Sequence, residues 1–565
     1  MKINKTNFKI FFIAIHILLT IIVIRLMYLQ IYRHDFFKNK LDDQLKRIVK
    51  LYPNRGNIFD RNKKPLALTS TSYSIYATPY QIKDKFIFSK EIAYILKTHP
   101  KKIFKIISSK SPFVWVKRKV SPEIKKQLEE LKLVGINYIK VEKRVYPNKS
   151  LGADILGFVG IDNQGLSGLE YQHDHLLKGS PGKLIIEGDP RGFRLMTGSR
   201  KEILPNNGGH IETTIDEYIQ YSTQKHLAHG VSLNRAIKGH AIVMKPKTGE
   251  IIAMTDYPDF DANNWRLYKS KILKNSCITD VFEPGSIFKI ITLAAVLEEK
   301  LFQPESSLYI PEKIYLAGHT IREAHKRKEG ESATKTVAQI IQESLNVGTT
   351  LLAQKLGKVK FYKYMQAFGF GTPTEIDLPG ESAGILKPPK NWSGVDIAMH
   401  SFGQGLAATT IQMACAVSAV ANGGLLLKPR IIKSMSQENG KIVKSPPKQI
   451  KRRIISKVNA KKIIDILTVA VEKGTGTTAK VPGFKVAGKT GTAQKAKENG
   501  LGYEPGKYIA SFIGFFPAED PEYLIIIAVD SPERYIYGSQ VAAPIFKNIA
   551  KDIVNYKNLK PTVYK

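Results

Sequence analysis

The sequence predicts an α+β protein tethered by one N-terminal helix, and three observations carry that prediction. After residue 213, apolar runs of strand length and of helix length occur in clusters, without regular strand–helix alternation. Residues 32–212 show short strand-like stretches and charged helical segments cut by glycines, the pattern of a β-rich module. Residues 10–31 form an apolar run interrupted only by His16, Thr20, Arg25 and Gln30.

Taken in order, residues 1–9 are a short tail on the cytoplasmic side and residues 10–31 a membrane anchor. About 20 apolar residues span a bilayer, and Arg25 lies near enough to one end to snorkel. A cleaved signal peptide would end in small residues, whereas Tyr28-Leu29-Gln30-Ile31-Tyr32 is bulky. The expected location is a membrane, crossed once, with everything after residue 31 outside. In the 32–212 module, Arg55-Gly56-Asn57-Ile58-Phe59-Asp60-Arg61-Asn62 reads as turns around a short strand, and Pro122 to Leu133 as a helix. Gly165-Leu166-Ser167-Gly168-Leu169-Glu170 reads as a close backbone approach. No chemistry is visible there, only a pedestal or docking module.

The remaining domain, 213–565, opens with a helix from Ile215 to Ala228. A hairpin comes next, Ala241–Met244 and Glu250–Met254, around Lys247-Thr248-Gly249. Glu283-Pro284-Gly285-Ser286 then turns into a helix through Leu297, with Ser286 at its start and Lys289 three residues on, on the same face. Residues 302–334 read as loop. A helix from Thr336 to Glu343 breaks at Ser344-Leu345-Asn346 and resumes to Leu356. Helices are predicted at Thr410–Val420, Asn459–Glu472 and Ala542–Tyr556, and strands at 485–493, 509–515 and 523–529.

The chain has 565 residues, 43% hydrophobic and 24% charged, which is enough for large cores and excludes disorder as the default. Its net charge of +37 raises nucleic acid as a partner, but no zinc-finger spacing, homeodomain pattern or RNP-like string occurs. The lysines are dispersed rather than striped, so solvated lysine surfaces account for the charge and no nucleic acid is expected. Cys277 and Cys415 make neither a disulfide framework nor a metal site, and their pairing is left open.

A serine with an amine one helical turn away is a nucleophile with a candidate base. In a lysine-rich chain the bare pattern is weak, and it recurs elsewhere, as at Ser222, Ser332 and Ser445. Two prolines come directly after Ser445, which rules out a helical turn. Ser222 lies in a Gln-rich charged stretch and Ser332 in a polar run. Ser286-x-x-Lys289 gains weight from two motifs further along the chain, Ser344-x-Asn346 and then Lys489-Thr490-Gly491. The upstream Lys247-Thr248-Gly249 and Ser232-Leu233-Asn234 stand out of that order and read as turn or surface motifs.

With these three motifs, the Arg55–Asn62 and Gly165–Glu170 stretches, Ser401-Phe402-Gly403-Gln404-Gly405 and Val541-Ala542-Ala543-Pro544-Ile545-Phe546, the chain resembles the class B penicillin-binding proteins, and among them the division-specific (FtsI-type) transpeptidases. The resemblance implies a serine β-lactamase-like transpeptidase domain, an antiparallel sheet between helices, behind a β-rich pedestal. It also implies the transfer of peptidoglycan stem peptides ending in D-Ala-D-Ala through a serine acyl-enzyme. Ser286 would be the nucleophile, Lys289 the base, Ser344 a proton relay, and Asn346 the group that orients substrate and Lys289. Lys489 would be the cation that helps lower the Lys289 pKa, and with Thr490 and Thr492 would hold the terminal carboxylate. Gly491 would let the strand lie close to substrate. Leu345, where relatives often have Ser, should point away from substrate. The implied partners are stem peptides, β-lactams, a separate membrane glycosyltransferase and other division proteins, with no cofactor and no metal. An elongation-specific transpeptidase and a β-lactam sensor are the alternatives.

Overall fold

The structure is a computed structural model that describes residues 5–187, 200–323, 333–497 and 502–562. The chain divides into two compact units. The first comprises residues 1–54 and 179–208. It contains the helix Lys5–Met27, continued by a wider turn Tyr28–Tyr32, and the helix His34–Leu45. Its strands Lys46–Leu51, Gly182–Glu187 and Arg200–Ile203 form a three-stranded antiparallel sheet. The stretch Lys5–Tyr32 is long and apolar enough to cross a membrane, and its side chains lie exposed.

The second unit comprises residues 55–178 and 209–565. Strands β1 (Ile58–Phe59), β2 (Pro65–Ala77), β3 (Val114–Val120), β4 (Ile136–Val145) and β5 (His210–Thr213) come first. β1 pairs with β2 on one side and with β5 on the other, and β2 pairs with both β3 and β4. Here the Arg55–Asn62 and Gly165–Glu170 motifs meet. The Glu170 carboxylate accepts from Arg55 Nε at 2.7 Å and Arg144 Nε at 2.6 Å, while Arg55 Nη1 reaches Asp174 at 2.6 Å. All three members of the Arg55–Glu170–Arg144 group are buried, so each charge is matched by the others rather than by water.

Then come α1 (Glu217–Leu233), β6 (Lys238–Lys245), β7 (Glu250–Tyr257), a 3₁₀ turn at Gly285–Phe288 and α2 (Lys289–Glu298). The predicted 302–334 loop contains small ladders, including β8 (His319–Arg322) paired with Lys313–Leu316. Next are α3 (Val337–Gln342), α4 (Asn346–Leu356), α5 (Thr410–Ala421) and β9 (Ile432–Ser436), which pairs with β5. α6 (Lys457–Glu472), β10 (Ala487–Ala496), β11 (Tyr503–Phe516), β12 (Tyr523–Asp530) and α7 (Gly538–Lys557) complete the unit.

The central sheet runs β7-β6-β12-β11-β10, all antiparallel. Both faces are buried, and the period-2 rule shows it: Ala241, Val243, Ile525 and Ile527 enter one core, with α1 and α7. Ile242, Met244, Leu524 and Ile526 enter the other, with α2 and α5. That double burial is why Tyr523–Val529 is a continuous apolar run rather than an alternating one. α7 starts four residues before the predicted Ala542 and carries Pro544 inside it. Proline in a helix interior costs about 3 kcal/mol. Burial of Val541, Ile545 and Phe546 offsets it, at about 1.5–3 kcal/mol for a fully buried large apolar side chain.

Candidate active site

The 3₁₀ turn that carries Ser286 is clamped from two sides. Gly285 takes φ +59°, the left-handed region that glycine enters without strain. Its N–H donates to Gly403 O at 2.9 Å, which fixes the turn against the Ser401–Gly405 loop, and Gly405 N–H donates to Glu283 Oε1 at 2.9 Å. On the other side the turn lies against β10: a Cβ on Gly491 would stand 3.1 Å from Pro284 O and from Ile287 Cγ2. The helix thus begins at Lys289, after a tighter turn, and Ser286 sits half-buried beside the Lys489-Thr490-Gly491 strand.

Lys289 is fully buried at the first position of α2. Its Nζ reaches three oxygens from the break between α3 and α4: Ser344 O at 2.6 Å, Asn346 Oδ1 at 2.8 Å and Ser344 Oγ at 3.4 Å. The break itself has a local cause. Leu345 N–H donates to Ile340 O at 2.9 Å and Ser344 N–H to Ile341 O at 3.2 Å, the paired bonds of a Schellman end. Ser344 occupies its left-handed position at φ +64°, usually glycine's place. Leu345 packs against the core. α4 then starts without a cap of its own, and Glu323, just past β8, supplies one by accepting from the N–H groups of Asn346 and of Val347 (2.9 Å).

Burial lowers the Lys289 pKa to about 7, against the raising effect of the Glu323 charge. Burial is the first cause, and Lys489, the expected cation, shares a charge interaction with Lys289. Lys489 is fully buried too, and it is itself held well below its ordinary value, first by burial and then by the Lys289 charge. Its Nζ donates to Thr490 O at 3.2 Å. Thr490 Oγ1 lies 2.9 Å from Thr475 Oγ1, and Thr492 Oγ1 accepts from Gly538 N–H at 3.1 Å, tying the start of α7 to β10. A Cβ on Gly491 would come within 2.3 Å of Ser511 Oγ, so the glycine also lets β10 lie close to the neighbouring strand and to the Pro284–Ile287 turn.

The structure therefore brings Lys289, Ser344 and Asn346 into direct contact and sets the Ser286 turn against Lys489, Thr490, Gly491 and Thr492. It adds Glu323, Thr475 and Ser401, which the motifs do not reveal; Ser401 O accepts from Thr292 of α2 at 2.7 Å and Ser401 Oγ lies 3.4 Å from Thr350 of α4. In sequence Ser401 stands in a family motif without a role of its own, and Glu323 and Thr475 carry no signal. Of these other Ser-x-x-Lys serines, Ser222 is buried within α1 and bonded to Asp552 at 2.7 Å. Ser445 donates to Lys433 O at 3.2 Å, and Ser332 lies outside the described residues. Lys247 pairs with Asp520 in an exposed turn.

Both cysteines are free and buried. Cys277 joins His240 and Asp256 in a group whose donor atoms are close enough to suggest a metal site. Asp256 Oδ1 already accepts from the His240 ring at 2.7 Å and from Cys277 Sγ at 3.2 Å, and Oδ2 accepts from Ser276 N–H. Burial, then the Asp256 charge, pushes the Cys277 thiol far up, away from the thiolate a metal takes. The trio is closed by its own hydrogen bonds.

Residues 239–551 match the penicillin binding protein transpeptidase domain, and residues 50–213 the penicillin-binding protein dimerisation domain. The stage V sporulation protein D of Bacillus subtilis is 36% identical, over 96% of this chain and 85% of that protein. A Neisseria meningitidis protein named as a probable peptidoglycan D,D-transpeptidase, PenA, is 31% identical over 99% of this chain and 94% of its own. The crystal structure of penicillin binding protein 3 from Mycobacterium tuberculosis, complexed with aztreonam, superposes with a TM-score of 0.71 at 29% identity, covering 92% of this chain and 100% of that one.

Proposed function

The chain belongs to the class B penicillin-binding proteins, and from that premise we propose that it is a peptidoglycan D,D-transpeptidase that works through an ester on Ser286. The observation that carries this is the buried Lys289 amine, pKa about 7, anchored by Ser344 and Asn346 one turn after Ser286. An amine half neutral near pH 7 can take the Ser286 proton, whereas an ordinary lysine at about 10.4 is almost wholly charged.

In this reading Ser286 Oγ attacks the penultimate D-Ala carbonyl of a stem peptide as its proton passes to Lys289. The N–H groups of Ser286 and Thr492 stabilise the oxyanion, a contribution of about 3 kcal/mol per donor. Collapse breaks the peptide bond, and the leaving D-Ala amine takes the proton from Lys289 through Ser344. Asn346 orients the donor peptide. The substrate's terminal carboxylate sits at Thr490 and Thr492, where its charge keeps the proton on Lys489. An acceptor amine then attacks the ester, forms the cross-link and returns the proton to Ser286. A β-lactam opens on Ser286 to give the same kind of ester. The test is a labelled-penicillin gel on membranes with the adduct mapped by mass spectrometry: Ser286→Ala should abolish labelling and Ser222→Ala should not. An adduct on any other residue would sink the assignment.

The proposed setting is the division septum, with the anchor in the inner membrane, the catalytic unit outside it and a separate glycosyltransferase as partner. Ser344-x-Asn346 and Lys489-Thr490-Gly491 favour the septal over the elongation branch as markers, not as causes. The name of the Bacillus subtilis relative favours a second reading, cross-linking during sporulation. Depletion during growth should block constriction and leave unseparated cells. Rounded cells that divide would favour elongation, and unaffected growth would favour the sporulation reading.

A further inference from the structure

Resting on the reading that Lys289 is the base for Ser286, we propose that Glu323 is a positioning residue that holds Asn346 in register and stands as the counter-charge to the Lys289 ammonium. Two features of the fold converge on it. α4 has no side-chain cap at Leu345, so its first N–H groups point outward unsatisfied unless something else meets them. Glu323 meets two, those of Asn346 and Val347, one with each carboxylate oxygen. A negative charge at a helix N-terminus is favourable in its own right. The neighbouring residue adds a second hold, since Arg322 O accepts from Asn346 Nδ2 at 3.2 Å. Asn346 is thereby fixed at backbone and side chain, with Oδ1 left to receive Lys289 Nζ. A shift of Glu323 would move the group that aims the base.

The carboxylate also acts by charge. Among the described residues, the groups that share a charge interaction with Lys289 are Glu323, from the end of β8, and Lys489, from β10. Glu323 is the one that favours the protonated amine, so it opposes burial and keeps Lys289 a base rather than a permanently neutral amine. Removing the charge lowers the Lys289 pKa, and the acid limb of acylation, where a protonated Lys289 cannot accept the Ser286 proton, moves to lower pH. A residue that only capped α4 would change the rate and leave the limb where it was.

The experiment measures the second-order rate of acylation by a fluorescent penicillin from pH 5 to pH 9, on full-length protein in detergent, for wild type, Glu323→Gln, Glu323→Ala, Glu323→Asp and Ser286→Ala. Expected are a fall of about a hundredfold in Glu323→Ala, the low end of what a positioned base supplies, with the label still on Ser286. The acid limb should move down by about one pH unit in Glu323→Gln and return to the wild-type position in Glu323→Asp. A Glu323→Gln limb that coincides with wild type, or one that Glu323→Asp fails to restore, overturns the proposal. Should Glu323→Ala not fold, the Gln and Asp variants decide it alone. Labelling that survives Ser286→Ala fails the parent reading instead, and the two failures are told apart by which variant shows them.

Discussion

At the scale of single residues, the site joins two energetic costs to one function. Lys289 is buried and Ser344 is held in a left-handed conformation, and neither state is the stable choice for its residue. The first cost sets the pH dependence. With Lys289 as the proposed base, the amine must be neutral, and burial brings its pKa to about 7. Protonation should then remove activity as pH falls through about 7, and the log of the acylation rate should drop with a slope near one per unit below it. A flat profile from pH 5 to pH 8 would exclude Lys289 as the base. The second cost is testable by relieving it. A non-glycine residue in the left-handed region costs about 1–2 kcal/mol, so Ser344→Gly should raise stability by about that much in thermal melts while slowing acylation, because the Ser344 hydroxyl near Lys289 is lost. Lower stability in Ser344→Gly would show that the turn is not strained. Ser286, Lys289, Ser344, Asn346 and Lys489 are legible in the sequence because they stand at fixed short spacings in a fixed order. Glu323 and Thr475 are not, because each acts on a backbone or hydroxyl group distant in sequence, and a carboxylate that caps another element leaves no local pattern.

At the scale of elements, the sequence is most informative about the sheet and helices buried on two sides, where apolar runs leave little choice of assignment. It is least informative where an element is extended by what it touches. α7 reaches back to Gly538, whose N–H meets Thr492 on β10, a contact that no local pattern announces. The 302–334 ladders are short and half-exposed, so no periodicity announces them. The pedestal motifs read only as turns, yet they assemble the buried Arg55–Glu170–Arg144 group, in which Glu170 is 0% exposed. Removing one partner of a buried ion pair typically costs about 3–5 kcal/mol, since the others are left without compensation. Glu170→Ala should therefore destabilise the protein by about that amount in chemical denaturation. Glu170→Gln, which keeps the shape and some of the hydrogen bonds, should cost less. A change below about 1 kcal/mol in Glu170→Ala would mean that Asp174 alone suffices for Arg55 and that Arg144 finds water.

At the scale of the whole molecule, the N-terminal apolar helix and the candidate site belong to different compact units, and that separation predicts what truncation does. The side chains that build the site lie between Glu283 and Gly538, within one unit. The helix from Lys5 to Tyr32 exposes nearly all of its apolar side chains, among them Phe11, Ile13, Leu18, Ile22 and Ile24. In water such a helix associates with any apolar surface at about 25 cal/mol for each Å² covered, so the full chain should require detergent. A chain beginning at residue 33 retains the strand Lys46–Leu51 and hence the small antiparallel sheet that it forms with Gly182–Glu187, so no new sheet edge is opened. That truncated chain should be soluble without detergent and should react with labelled penicillin at a rate within about twofold of the full-length protein, the range expected when no buried contact is altered. If the apolar helix holds the chain at a membrane, as proposed above, the truncated chain should fail to replace the full-length one in cells. Loss of acylation in the truncated chain would show that the helix helps to build the site, and the division of labour between the two units would be wrong.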